Sequence, residues 1–271
     1  MHRKTSLILV ATLSLSFSAQ AGKPERDKQK EVEPKVKEAE KAVNDACKGG
    51  LKFDVKWDSY AKADDMWRVP EASEAIAELA KSYCTSPEDQ KAFADLLKTV
   101  VIKFNSDMGD PAYDKGKKAI TVGSTSSSYN TAEQVQTAID NSARAAGGWG
   151  KAERAKKTEA EANVKTAEKS AGAACKAKAL KIEVDWKSYK TADDMSSVHD
   201  AAAAIADAAK NYCGSPDDQK AFNANVSKFT VAFAEEIGDP AYDKAKKTIS
   251  IHSKSNSFNG DHQIKTILDA F

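Results

Sequence analysis

The chain is written almost twice. Laid over residues 175–269, residues 47–140 keep the same succession of motifs. CKGGLKFDVKWDSY is matched by CKAKALKIEVDWKSY, with one residue added. ADDM follows at 63–66 and again at 192–195. KSYCTSPEDQKAF is matched by KNYCGSPDDQKAF, and GDPAYDK stands at 109–115 and at 238–244. KKAITV and KKTISI lead each stretch toward its end. Such a chain must turn one pattern of roughly 100 residues into the same structure at two places, and that length suffices for an independent core. The expectation is therefore a tandem duplication. The boundaries read as a leader at 1–21, a first unit with a long leading helix at 22–142, a glycine-rich linker at 143–151, and a second unit at 152–271.

The leader expectation rests on MHRKTSLILVATLSLSFSAQAG, in which Arg3 and Lys4 precede an apolar run and a small-residue Ala-Gln-Ala site. That is the pattern of a secretory signal peptide, and the run is too short for a membrane span. The expected location is secreted or periplasmic, with no transmembrane segment in the mature chain. Export makes disulfides available to Cys47, Cys84, Cys175 and Cys213. Four cysteines allow three pairings. The repeat selects one staple per unit, Cys47–Cys84 and Cys175–Cys213. No CxxC or clustered Cys/His spacing points to a metal site, and no cofactor is expected.

Local patterns predict a helix-dominated α+β unit with three or four helices and two short strands. The Glu/Lys/Ala-rich stretch before Cys47 reads as a long helix, with Pro34 expected to bend or break it. Leu51, Phe53, Val55 and Trp57 alternate with polar residues, as do Leu180, Ile182, Val184 and Trp186, and so predict strands. A second strand is expected at 119–122 and 248–251, and helices at 71–84 and 198–213. Ser86-Pro87-Glu88-Asp89 and Ser215-Pro216-Asp217-Asp218 are helix starts. The spacing of Phe93, Leu97, Val100 and Phe104 predicts one continuing helix, as does that of Phe222, Val226, Phe229 and Phe233. GDPAYDK predicts a short helix, with Asp110 and Asp239 as caps and Tyr113 and Tyr242 on the first turn. Thr131 with Gln134 reads as a capping box, and Asp261 as the matching cap in the second unit.

The charges nearly cancel, at +1 overall, which argues against a dedicated nucleic-acid binder. GxSxG, GxGxxG, the P-loop and HExxH are absent, and no nucleophile stands beside a base, so no catalytic residue is assigned. His199, His252 and His262 lie only in the second unit. The candidate ligand-binding residues are Trp57 and Tyr60 with Trp186 and Tyr189, from a shared WxSY pattern, and Asp110, Tyr113, Asp239 and Tyr242 from GDPAYDK. For the tryptophans, completion of the core competes with ligand contact. The expected function is non-enzymatic binding of an envelope protein, a glycan or a small ligand. Two alternatives stand beside it: hydrolysis of envelope polymers through paired carboxylates, and a purely structural role.

Overall fold

The computed structural model describes residues 22–271, so the predicted leader lies outside the described residues. It shows a mixed α/β architecture with eight α-helices and two small mixed sheets among the described residues. Two compact units divide between Ser142 and Ala143.

The first unit opens with α1 (Lys23–Cys47), which runs unbroken through Pro34. Its buried side chains Val32, Val36, Ala39, Val43 and Cys47 recur every three or four residues and form a single stripe. β1 (Lys52–Val55) follows, then two 3-10 turns, at Trp57–Ser59 and Ala63–Met66. α2 (Val69–Tyr83) is buried along most of its length and packs on α1 and on the sheet. α3 (Pro87–Leu96) starts at Ser86, whose hydroxyl accepts the Asp89 N–H at 3.1 Å.

The expected continuation of α3 is overturned. The helix stops at Leu96, and β2 (Thr99–Phe104) takes over. Thr99-Val100-Val101-Ile102 is a β-branched run that favours a pleated strand. Val100 and Ile102 are buried on one face of that strand. Phe93 and Leu97 therefore belong to the helix and its end, and Val100 and Phe104 to a central strand. β3 (Ala112–Asp114) and β4 (Ala119–Ser124) form a hairpin. The sheet order is β1-β2-β4-β3, with β1, β2 and β4 parallel and β3 antiparallel. The unit thus has four strands where two were expected. α4 (Ala132–Ala145) closes it, with Thr131 and Gln134 exchanging hydrogen bonds at its start.

The second unit runs α5 (Lys151–Ala174), β5 (Lys181–Val184), α6 (Ala192–Tyr212), α7 (Pro216–Asn225), β6 (Lys228–Phe233), β7 (Ala241–Asp243), β8 (Thr248–Lys254), β9 (Ser257–Phe258) and α8 (Asp261–Leu268). Its sheet order is β5-β6-β8-β7, and β9 pairs with β8, giving five strands. Phe229 and Val231 lie buried in β6, so the predicted helix breaks here as it does in the first unit. α6 is longer than α2 because Thr191 and Asp194 form a capping box at its start. Its alanines 201, 202, 208 and 209 are fully buried and let α5 approach closely. At the start of α8 the cap position belongs to Gly260, not Asp261. The Gly260 N–H donates to Gln263 Oε1 at 3.0 Å.

Disulfides join Cys47 to Cys84 and Cys175 to Cys213, and no cysteine is free. Each ties the end of a leading helix to the end of the helix packed on it. Among the described residues, no helix is long and apolar enough to cross a membrane.

Candidate functional site

β1 ends at Val55, and the chain turns at once through Trp57–Ser59. Two contacts fix this turn. Ser59 Oγ accepts the Phe104 N–H at 2.9 Å, and the Tyr60 hydroxyl shares a 2.7 Å hydrogen bond with Ser124 Oγ. In the second unit, Ser188 Oγ accepts the Phe233 N–H at 2.8 Å, and the Tyr189 hydroxyl meets Ser253 Oγ at 2.7 Å. Tyr60 and Tyr189 are core residues, only 4% and 2% exposed, and they pack edge-on against Phe104 and Phe233. Burial pushes both phenols up to about 12, so they stay neutral hydrogen-bonding groups at physiological pH. Trp57 and Trp186 leave the strand alternation and lie half-buried beside these tyrosines.

GDPAYDK does not start a helix. Ala112–Asp114 and Ala241–Asp243 are edge strands. Asp110 and Asp239 are exposed and cap nothing. The capping carboxylates are Asp114 and Asp243, which accept the N–H groups of Lys117 and Lys246 at 3.1 Å inside the hairpin turns. Those backbone hydrogen bonds lower both carboxyl groups below their ordinary value. Pro111 sits before a strand because its fixed φ suits a strand entry as well as a first helical turn. The Tyr113 hydroxyl donates to the Leu96 carbonyl at 2.6 Å, and that of Tyr242 to Asn225 at 2.8 Å. Each tyrosine pins the hairpin to the end of a helix. The eight candidate ligand residues therefore separate into tyrosines engaged in packing, exposed aspartates, and two half-buried tryptophans.

The second unit gives its tryptophan a setting that the sequence patterns did not single out. Lys157 of α5 holds its ammonium 5.4 Å from the Trp149 ring and 5.9 Å from the Trp186 ring, within cation–π range. Beside them opens a cleft of about 490 Å³, lined by Arg144, Gly147, Gly148, Trp149, Lys187, Tyr189 and Lys190. Trp149 lies in a stretch read only as linker. A tryptophan among three glycines and three alanines is the signal available. Lys187 and Lys190 flank the Ser-Tyr pair of WxSY, where the first unit has Asp58 and Ala61. The cleft thus combines a flat ring, cations and glycine backbone. It can hold a flat-faced group carrying negative charge.

The first unit has a cleft of about 620 Å³ of opposite character, lined by Glu78, Leu79, Ser82, Ala132, Glu133, Gln136, Thr137 and Asp140. Among the described residues no group of three or more His, Cys, Asp or Glu side chains is placed to hold a metal ion. No family model matches this chain, and neither a curated protein nor a solved structure does.

Proposed function

We propose that this is an exported, non-enzymatic binding protein of the cell envelope or extracellular space, formed by tandem duplication of a roughly 100-residue unit. On this reading the second unit has acquired a ligand site. The observation that carries it is the placement of Lys157 between Trp149 and Trp186, beside the cleft that Lys187 and Lys190 line. Aromatic faces stack on sugar rings and planar groups, and lysines neutralise a carboxylate. The ligand class is a small envelope-derived molecule or glycan residue with one negative group. Export is supported by the leader-like first residues and by two disulfides.

Tryptophan fluorescence titration with galacturonate and with an aromatic carboxylate tests the site. A saturable change that disappears in Trp149→Ala and weakens at least tenfold in the Lys187→Gln/Lys190→Gln double variant supports it. A signal unchanged in both variants overturns it. The second reading, a hydrolase of envelope polymers, has one observation in its favour: the acidic cleft with Glu78, Glu133 and Asp140. Release of reducing ends from envelope polysaccharide, abolished by Glu133→Gln, would replace the first reading with this one.

A further inference from the structure

The amino ends of the parallel strands carry a row of lysines. In the first unit, Lys52 opens β1, Lys98 immediately precedes β2, and Lys118 immediately precedes β4. Backbone hydrogen bonds hold the three side by side: Lys52 N–H donates to the Lys98 carbonyl at 3.0 Å, and Lys98 N–H to the Lys118 carbonyl at 2.7 Å. Strand spacing sets successive members about 4.8 Å apart. Lys115 and Lys117 extend the row along the β3–β4 turn, and all five are exposed. Carboxylates border it, among them Glu40, which accepts the N–H of Phe53 beside Lys52. Asp95 is drawn mainly to Lys91, with lesser pull from Lys118 and Lys98, and Asp114 pairs with Lys117 at 3.6 Å. Lys52, Lys98, Lys115 and Lys118 form no ion pair with any described residue.

The backbone supplies a second observation. Among the described residues, five non-glycine residues have positive φ, and four of them are lysines: Lys48 (52°), Lys118 (49°), Lys176 (51°) and Lys247 (49°). Glycine or asparagine adopts this conformation with least strain. The first hairpin turn does contain a glycine, Gly116, yet the left-handed position is held by Lys118. Lys247 occupies the matching position in the second unit, where Lys181, Lys228 and Lys247 repeat the row. There Glu168 and Glu183 pair with Lys181 and Lys228, so the second row is more nearly neutralised. Of the four, Lys118 and Lys247 belong to the rows, so the same left-handed position is held by a cation in both units.

We infer that the lysine row of the first unit is a docking surface for a linear acidic polysaccharide. The row is made of lysines alone. It has no guanidinium fork and no exposed ring, so the stacking platform of a single-strand nucleic-acid binder is missing. It consists of strand ends and a turn, not a helix or ribbon that enters a duplex groove. It also has no exposed apolar side chain to enter a lipid interface. Trp67, the exposed large apolar residue among the described residues of this unit, lies against Lys28 near the start of α1. That is about 30 Å along the helix from Lys48. A line of point charges fits a flexible polymer with one negative group per residue. This surface is separate from the tryptophan cleft, and its inference does not depend on that site.

The test is binding of the full-length protein to polygalacturonate at low salt, by calorimetry. Lys98→Gln/Lys115→Gln/Lys118→Gln should weaken binding at least tenfold and flatten the dependence on salt. Lys30→Gln/Lys35→Gln/Lys37→Gln, which changes net charge equally on exposed α1 positions, should change it less than twofold. Trp149→Ala should also leave it within twofold. Lys118→Gly, which relieves the backbone, should raise the unfolding midpoint while weakening binding, and so separates charge from folding. Absence of binding, equal weakening by the α1 variant, or tighter binding to duplex DNA or to phosphatidylglycerol vesicles would overturn the inference.

Discussion

Glu40 of α1 accepts the Phe53 N–H through its carboxylate at 2.6 Å. The N–H groups of Lys52 and Lys56 point to β2, so that of Phe53 points away, from the open edge of the sheet. Glu168 does the same for Ile182 at 3.0 Å. Each leading helix thus supplies an acceptor that blunts an edge strand.

Removing that acceptor should be felt on two levels. Glu40→Ala should cost about 1–3 kcal/mol, because a partly buried donor loses a charged partner. Glu40→Gln, which keeps an acceptor, should cost less. Denaturant unfolding measures the loss, and faster exchange of the Phe53 amide locates it. Equal midpoints for Glu40→Ala and the parent would show that water replaces the carboxylate without loss.

The disulfides close loops with sequence separations of 37 and 38. By chain entropy each should contribute about 4 kcal/mol. Cys47→Ser/Cys84→Ser should therefore lower the first unit's unfolding midpoint strongly and the second's little. Peptide mapping without reductant should recover the two local pairs and no Cys47–Cys175 bond.

Alkali offers a third test. Tyr60 and Tyr189 titrate near 12 when folded, chiefly through burial, against about 10 in an unfolded chain. A raised folded value means that their contribution is complete below pH 10 and is lost as pH rises toward 12. Stability should fall across that window. In Tyr60→Phe/Tyr189→Phe the fall should shrink, and stability near neutrality should drop by about 0.5–1.5 kcal/mol per lost hydrogen bond.

GDPAYDK gives a fourth test by contrast. Asp110→Ala and Asp239→Ala should leave the unfolding midpoint unchanged. Tyr113→Phe should lose about 0.5–1.5 kcal/mol, because the Leu96 carbonyl at the end of α3 loses its donor. Asp114→Asn should destabilise the hairpin turn at neutral pH and less in acid, where the native carboxyl is itself protonated. A larger effect from Asp110→Ala than from Tyr113→Phe would restore the helix-cap reading.

How much of this was legible follows from the range of each signal. The stripe Val32–Val36–Ala39–Val43 and the serine caps at 86 and 215 are local, and the structure shows them as read. The helix misread through Val100 and Phe104 came from a spacing that continued by coincidence across Leu97, while the β-branched run carried the competing signal. GDPAYDK misled because Asp-Pro begins strands as readily as helices, and only pairing with Ile120 and Thr121 decides between them. Tyr60 looked like a surface aromatic because its partner, Ser124, is 64 residues away. The ring–cation cluster beside the cleft was hidden for the same reason: Trp149, Lys157 and Trp186 converge from a linker, a helix and a turn.

The parallel pairing of β1 with β2 also governs how quickly the first unit can fold. Lys52 must find Thr99 across two intervening helices, and such non-local contacts slow folding because the loop closes before it is rewarded. The Cys47–Cys84 bond bridges most of that loop. Measured through the disulfide, the path from Lys52 to Thr99 is less than half its length along the backbone. Oxidation before collapse therefore turns a distant strand encounter into a near one. The oxidised first unit should refold markedly faster than its reduced form, by a larger factor than stability alone accounts for.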